Sequence, residues 1–248
     1  MNTIYALWLR QVKKYFRSKS RIIGSLAQPL LFLVAFGFGF GSIYQKAGEG
    51  NYMNFLAPGI ILMSVLMTAM FSGIDIIWDR QFGFLKETLA APVSRLEIVL
   101  GKTLGAATVA IFQGIIVFLL SMLIGFKPQN VYSVIPAFVF SFLVAILFSS
   151  LGTAIASVLE DMQGFQLIMN FLIMPIIFLS GAYFPVNGLP KGIEIITKIN
   201  PLTYGIDGLR GSLNGVYAFS PRIDFLVLAG ITLIVLFIGS YLFSKIQI

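Results

Sequence analysis

Residues 78–102 read WDRQFGFLKETLAAPVSRLEIVLGK and form a charged island between two long apolar runs. Only 11% of the residues in this chain are charged, yet charged side chains recur throughout the segment. Apolar residues such as Phe82, Phe84 and Leu85 lie between them. That mixture is typical of a short amphipathic helix that leaves a membrane and contacts another surface. The segment therefore predicts a docking surface for a soluble partner.

The composition predicts an all-α integral membrane protein with one domain over residues 1–248. Hydrophobic residues make up 58% of the chain, and the mean hydropathy is +0.92. Soluble domains are about half apolar and about a quarter charged. The sequence contains no cysteine and no histidine, which excludes disulfides, the usual soft metal sites and a Cys–His catalytic pair. The composition thus predicts no catalytic, metal or cofactor residues.

The amino-terminal segment 1–21 predicts an amphipathic helix that lies in the membrane interface. Six of the 17 Lys and Arg residues fall in this segment. Apolar residues such as Leu7 and Trp8 recur at helical spacing, with the cations on the other side. We interpret the cations as a topology signal and a contact for anionic lipids rather than a nucleic-acid site.

Six segments are apolar and long enough to cross a membrane, which takes about 20 residues. The predicted spans are 22–43, 55–77, 99–125, 132–158, 163–183 and 223–244. The distribution of Lys and Arg predicts a multi-pass protein of the plasma membrane with both termini in the cytoplasm. The segment 184–222 predicts two short outer helices that are partly re-entrant, because neither is long enough to cross.

The charged island also carries helix-boundary signals. The pattern predicts a helix over about 81–90 that ends near Pro92. Ser94 then predicts an N-cap for the next helix, with Glu97 three residues later completing a capping box. An ordinary positively charged loop would not need this arrangement.

Three blocks of sequence give this chain a family resemblance. The first holds Gln28-Pro29-Leu30, and the second runs from Gly83 to Lys102. The third runs from Leu179 to Pro185 and continues at Asn200-Pro201-Leu202-Thr203-Tyr204 and Arg210. In order and spacing the chain resembles the type-2 ABC exporter permeases, which include daunorubicin-resistance and polysaccharide-export permeases. The second block is the most specific of the three.

The resemblance implies a six-span half-transporter that pairs with a second permease copy and binds two ABC ATPase subunits. It implies that the amino-terminal helix and the loop 78–102 contact the ATPase, and that substrate passes between the two permease copies. On this interpretation Phe84 and Leu85 anchor the loop in a groove of the ATPase. The predicted coupling residues are Arg80, Phe84, Leu85, Glu87, Pro92 and Arg95. ATP would be bound by the partner, and a flippase or an importer would use the same coupling.

Two further sets of residues are candidates for a substrate path. Gln163, Gln166 and Asn170 lie at positions i, i+3 and i+7, so they share one face of a helix. They would either bond a neighbouring helix or line the path. Tyr183 and Tyr204 would either belong to an aromatic belt at the membrane interface or stack on a substrate.

Other functions fit the sequence less well. Gly101-Lys102-Thr103 resembles the end of a phosphate loop, but position 96 is Leu where that loop needs glycine. An intramembrane serine enzyme would need a base, and the one Lys inside a predicted span, Lys102, lies near the start of that span. Asp75 is the acidic residue closest to a predicted membrane interior, and its position near the interface favours a structural role. The scarcity of buried charge disfavours a proton-coupled transporter or a passive ion channel.

Overall fold

The computed structural model describes residues 3–46, 51–129, 131–186 and 190–246. Within these ranges the chain is helical and contains no β-strand. The helices are α1 (Thr3–Arg17), α2 (Lys19–Lys46), α3 (Tyr52–Phe71), α4 (Ile74–Gln81), α5 (Phe84–Ala90), α6 (Arg95–Ile124), α7 (Val134–Val158), α8 (Met162–Phe178), α9 (Lys191–Ile199), α10 (Pro201–Asn214) and α11 (Pro221–Ser244). Residues 1–2 of the predicted amphipathic helix and residues 187–189 of the predicted short-helix segment lie outside the described ranges.

Five of the six predicted spans are confirmed as long apolar helices among the described residues. They are α2, α3 with α4, α6, α7 and α11. The predicted span 163–183 is shorter in the structure, because α8 has 17 residues and ends at Phe178. At 1.5 Å per residue α8 is about 26 Å long. The described residues therefore include five helices that can cross a membrane unaided and a sixth apolar helix that is nearly long enough.

Helix α3 is the centre of the bundle. The segment from Leu56 to Leu66 is buried at every position, because α2, α6, α7 and α10 all pack against this helix. Helices α3 and α7 approach most closely at glycines. A Cβ atom on Gly152 would clash with the backbone of Met70, and one on Gly73 would clash with the backbone of Gly152. The close crossing therefore depends on the missing side chains.

Hydrogen bonds from arginines place several helix ends together. Arg95, at the start of α6, donates to the carbonyl oxygens of Ser244 at 2.8 Å and Ile246 at 3.0 Å. Arg80 donates to those of Ser157 at 3.1 Å and Leu159 at 3.2 Å. The start of α6 and the ends of α4, α7 and α11 thus lie at one end of the bundle. We call it the α1 end, because α1 packs there.

The opposite end of the bundle is organised by α10. Arg210 donates to the carbonyl oxygens of Phe55 at 3.2 Å and Gly181 at 2.9 Å, and its guanidinium lies 3.9 Å from the centre of the Phe55 ring. Asn200 caps α10 by accepting from the amide of Leu202 at 3.1 Å. Its side-chain amide also donates to the carbonyl of Ile176 in the last turn of α8. We call this the α10 end.

Replacing Gly152 by alanine tests the close crossing of α3 and α7. The new methyl group would collide with the backbone of Met70, so we expect a loss of about 1–3 kcal/mol in the free energy of unfolding. Gly230→Ala is the matched control, because a Cβ atom there meets no atom within 4 Å and alanine favours a helix by about 0.5–1 kcal/mol. Thermal unfolding of the detergent-solubilised chain measures both. Equal midpoints for the two variants would contradict the proposed packing.

Candidate functional site

The charged island forms a helix–turn–helix at the α1 end. Gly83 has φ of 82°, in the left-handed region that favours glycine. The chain therefore turns sharply between α4 and α5, so the predicted helix over 81–90 begins at Phe84 instead. The predicted capping box is confirmed, because Ser94 accepts from the amide of Glu97 and the Glu97 side chain accepts from the amide of Ser94. Gly83 and Ser94 thus fix both ends of the connection.

An exposed aromatic surface lies on this connection. Trp78 is 41% exposed, Phe82 63% and Phe84 51%. The Trp78 and Phe82 rings are stacked with their centres 5.1 Å apart. Lys86 and Glu87 are exposed on α5, the helix that also carries Phe84. We call these five residues the α5 surface. Exposed aromatic rings rimmed by charges are typical of protein docking sites.

The structure distributes the predicted coupling residues between this surface and the protein interior. Phe84, Glu87 and Pro92 are exposed, as a docking role requires. Leu85 differs from the prediction of an anchor, because its side chain is 1% exposed and belongs to the hydrophobic core. It holds α5 on the bundle from inside the chain.

Arg80 and Arg95 use their guanidinium groups within the chain. Their donors bond the carbonyl groups at the carboxyl-terminal ends of α7 and α11. These ends carry unpaired carbonyls and a partial negative charge, so arginine is well suited to them. A role for either arginine in coupling to an ATPase stays a prediction.

Beneath the α5 surface lies a group of ion pairs whose acids are buried. Asp79 accepts two hydrogen bonds from Arg10 of α1, at 2.8 and 3.2 Å, and a further one from Lys102 of α6. Asp79 and Lys102 are each 5% exposed. Asp75 pairs with Lys14 of α1 at 2.6 Å, which agrees with the structural role predicted for it. These ion pairs tie α1, α4 and α6 together.

Helix α1 is also packed closely against α6. Trp8 donates to the hydroxyl of Thr108 at 3.0 Å, and Tyr15 donates to Gln113 at 2.6 Å. Burial raises the pKa of Tyr15, which keeps its hydroxyl a donor. Gly101 and Gly105 lie directly under α1, where a Cβ atom would come within 2.9 Å and 2.7 Å of its side chains. The two glycines therefore serve packing within the chain.

The ion pair between Asp79 and Lys102 was not predicted, although the sequence contains a signal for it. Lys102 stands near the start of a long apolar run, and a cation at such a position needs a buried acid beside it. Asp79 is the acid that meets it, 23 residues earlier in the chain. Arg10 also lies 5.2 Å from the centre of the Phe84 ring. The ion pairs and the α5 surface are therefore one connected structure.

A polar stripe runs along α8. Gln163, Gln166 and Asn170 are all exposed, as their shared face predicts. The adjoining face is apolar and buried, and it comprises Phe165, Met169, Ile173 and Ile177. The sequence left open whether these amides bond a neighbouring helix or line a path. Because they are exposed in the single chain, a hydrogen bond to a neighbouring helix of the same chain is disfavoured.

The two predicted path tyrosines have different surroundings. Tyr183 lines an apolar pocket of about 290 Å³ together with Phe36, Phe40 and Phe178. Its hydroxyl lies 2.9 Å from the sulfur of Met63. Tyr204 is 9% exposed and donates to the carbonyl of Lys198 at 2.7 Å. Tyr183 thus borders a space that could receive a ligand, whereas Tyr204 joins α10 to α9.

Comparisons with known proteins agree with this architecture. A family model described as ABC-2 type transporter matches residues 2–214. The chain is 31% identical over 213 residues to ycf38 of Pyropia yezoensis, a protein named as a proposed transport permease. The match covers 84% of this chain and 72% of that protein. It is 30% identical to Nodulation protein J of Rhizobium leguminosarum bv. trifolii, covering 85% and 80%. It is 26% identical to the inner membrane transport permease YadH of Escherichia coli K12, covering 85% and 82%.

Replacing Asp79 by asparagine tests the buried ion pairs. Lys102 would remain buried without an anion, so we expect a loss of about 3–5 kcal/mol in the free energy of unfolding. Glu194→Gln is the control, because it removes only the exposed pair with Lys198, and exposed ion pairs contribute little to stability. Thermal unfolding followed by tryptophan fluorescence compares the two. Similar midpoints would show that the pairs do not hold α1 in place. A further K102M change should restore part of the loss in D79N.

Proposed function

Because this chain belongs to the ABC-2 type transporter family, we propose that it is the permease subunit of an ATP-driven exporter. The α5 surface is the observation that carries the proposal. It presents Trp78, Phe82 and Phe84 at the end of a membrane bundle, where a soluble ATPase can reach them. On this proposal the chain catalyses no reaction, and a separate subunit binds and hydrolyses ATP.

The ATPase docks on the aromatic part of the α5 surface. Buried aromatic anchors supply most of the energy of such contacts, which fits Phe82 and Phe84. The exposed charges of Lys86 and Glu87 then orient the partner and speed its association. One ATPase binds each permease copy, so a complete transporter contains two of each.

The buried ion pairs transmit the movement of the ATPase into the membrane. A force on α5 reaches α4 through the short turn at Gly83, and Asp79 connects α4 to Arg10 and Lys102. Because Lys102 belongs to α6, this long helix moves with the docking surface. The expected motion is a rigid-body rotation of helices rather than a local change in a loop.

The proposed topology has six crossings. Helix α8 starts beside the end of α7 at the α1 end, and Asn200 of the α10 end bonds its last turn. A crossing by α8 therefore brings both termini to the same side of the membrane. The concentration of Lys and Arg in the first 21 residues assigns that side to the cytoplasm. The short helices α9 and α10 then enter the bundle from the outside.

A second copy of this chain completes the substrate path along α8. Side-chain amides are costly against lipid, where nothing can bond them. Gln163, Gln166 and Asn170 therefore face either another copy or a hydrated path between copies. The apolar pocket bordered by Tyr183 lies at the end of the same helix, where Phe178 also lines it. We infer that the path suits a substrate with both apolar and polar parts.

Substitutions in the α5 surface test the docking of the ATPase. We expect F84A combined with E87Q to lower the recovery of the ATPase subunit with the tagged permease at least ~10-fold, because an aromatic hot spot is worth about 2 kcal/mol or more. Tyr132→Ala is the control, because Tyr132 is 83% exposed and lies outside the α5 surface. The measurement is co-purification from membranes that contain both subunits, with yields normalised to the permease. Undiminished recovery in the double variant would contradict the proposed docking site.

Single cysteines test the pairing along α8, because the natural sequence has none. We expect N170C to form a disulfide-linked dimer on mild oxidation of membranes, since the position would face its counterpart in the second copy. Phe237→Cys on α11 is the control, because Phe237 is 76% exposed and would face lipid. A non-reducing gel separates the two forms. Cross-linking of F237C but not of N170C would place the interface elsewhere.

A further inference from the structure

Two acidic side chains meet inside the α10 end. Asp224 lies in the first turn of α11 and is 0% exposed, and Asp207 lies in α10 and is 4% exposed. Their carboxyl groups are within hydrogen-bonding reach of each other. Two ionised carboxylates in contact inside a buried site repel each other strongly, so at most one of them is charged.

Asp207 is the member of the pair that is built to carry the charge. Its oxygens accept the backbone amide of Ala218 at 2.8 and 3.0 Å and that of Phe219 at 2.8 Å. The positive charge of Arg210 also attracts it. Hydrogen bonds from backbone amides and a nearby cation both favour an ionised carboxylate.

Asp224 has the opposite surroundings. Neither of its oxygens meets a hydrogen-bond donor among the described residues. Among the described residues, the helices packed against α11 place no cation beside it. Helix α7 carries no charged residue, the charged residues of α6 lie at the α1 end, and Arg210 of α10 donates to the carbonyls of Phe55 and Gly181. On α10, besides Asp207, the titratable group facing it is Tyr204, whose hydroxyl is already bonded to the carbonyl of Lys198. Arg222, on its own helix, is exposed.

We propose that Asp207 and Asp224 form a proton-binding site, in which Asp224 holds the proton and donates it to the carboxylate of Asp207. The proton comes from water and returns to it, so no other reactant is needed. In this arrangement one oxygen of Asp224 is bonded to one oxygen of Asp207, and the repulsion between the two acids is removed. A divalent cation fits less well, because three hydrogen bonds from backbone amides already point at Asp207.

The bound proton holds the outer helices against the bundle. The resulting hydrogen bond joins α10 to α11, and Arg210 joins α10 to the start of α3 through the carbonyl of Phe55. Loss of the proton would place two like charges between α10 and α11 and push them apart. The site is independent of the proposed transport function, because it requires only the packing of these helices.

Infrared spectroscopy of the purified full-length chain tests the site directly. At neutral pH exposed carboxylates are ionised, so a buried protonated acid gives a separate carbonyl stretching band that shifts in D₂O. We expect this band in the wild type, its loss in D224N and its retention in E194Q, which changes an exposed acid of α9. Absence of the band from the wild type, or its survival in D224N, would overturn the proposal.

Thermal unfolding supplies a second and independent readout. The amide of D224N can still donate to Asp207, so we expect its midpoint to stay within a few degrees of the wild type. D224L has no donor and should unfold at a clearly lower temperature. Equal midpoints for D224N and D224L would contradict a hydrogen bond between the two residues. Addition of CaCl₂ separates the remaining alternative, because a rise in the wild-type midpoint that is absent in D224N would identify a cation site instead.

Discussion

The arrangement of the α1 end depends on one buried cation. Lys102 is inside the bundle on α6, beyond the charged first turn of that helix, and an unpaired charge there would cost several kcal/mol. Asp79 is the anion that removes this cost, and Arg10 supplies a second cation to the same carboxylate. Because Asp79 and Lys102 are both buried, α4 and α6 cannot separate without leaving a charge unpaired in an apolar environment, and Arg10 ties α1 to the same carboxylate. An exposed ion pair would impose no such constraint.

In the proposed transport function, this constraint would let the short exposed helix α5 act on the long helix α6. The α5 surface is held by Leu85, which is buried, and adjoins Arg10 through the ring of Phe84. Neighbouring residues of one helix thus have opposite tasks, Phe84 facing outward and Leu85 inward. The glycines Gly101 and Gly105 bring α1 into direct contact with α6. Very little flexible chain separates the surface from the membrane helices, as mechanical coupling requires.

Local chemistry is what the sequence predicts well in this protein. The long apolar runs predict five helices correctly, and the pair Ser94 and Glu97 predicts the start of α6, because these signals involve residues close in the chain. The partners of Arg80 and Arg95 could not be predicted, since their carbonyl acceptors lie 77 to 151 positions away. The inward direction of Leu85 was hidden for the same reason. Only the packing of α5 on the bundle decides which of two adjacent apolar residues is buried.

The acids illustrate this limit most clearly. Asp75 is the acid closest to a predicted membrane interior, and in the structure a lysine of α1 neutralises it. Asp207 and Asp224 fall in or beside a segment that predicts short outer helices, where an acid would ordinarily meet water. Folding buries both of them, and the helix that packs most closely on α11 has no charged residue to offer. The two ends of the bundle therefore neutralise buried acids by different means. Cations from α1 and α6 serve at one end, and at the other we propose that a proton neutralises Asp224.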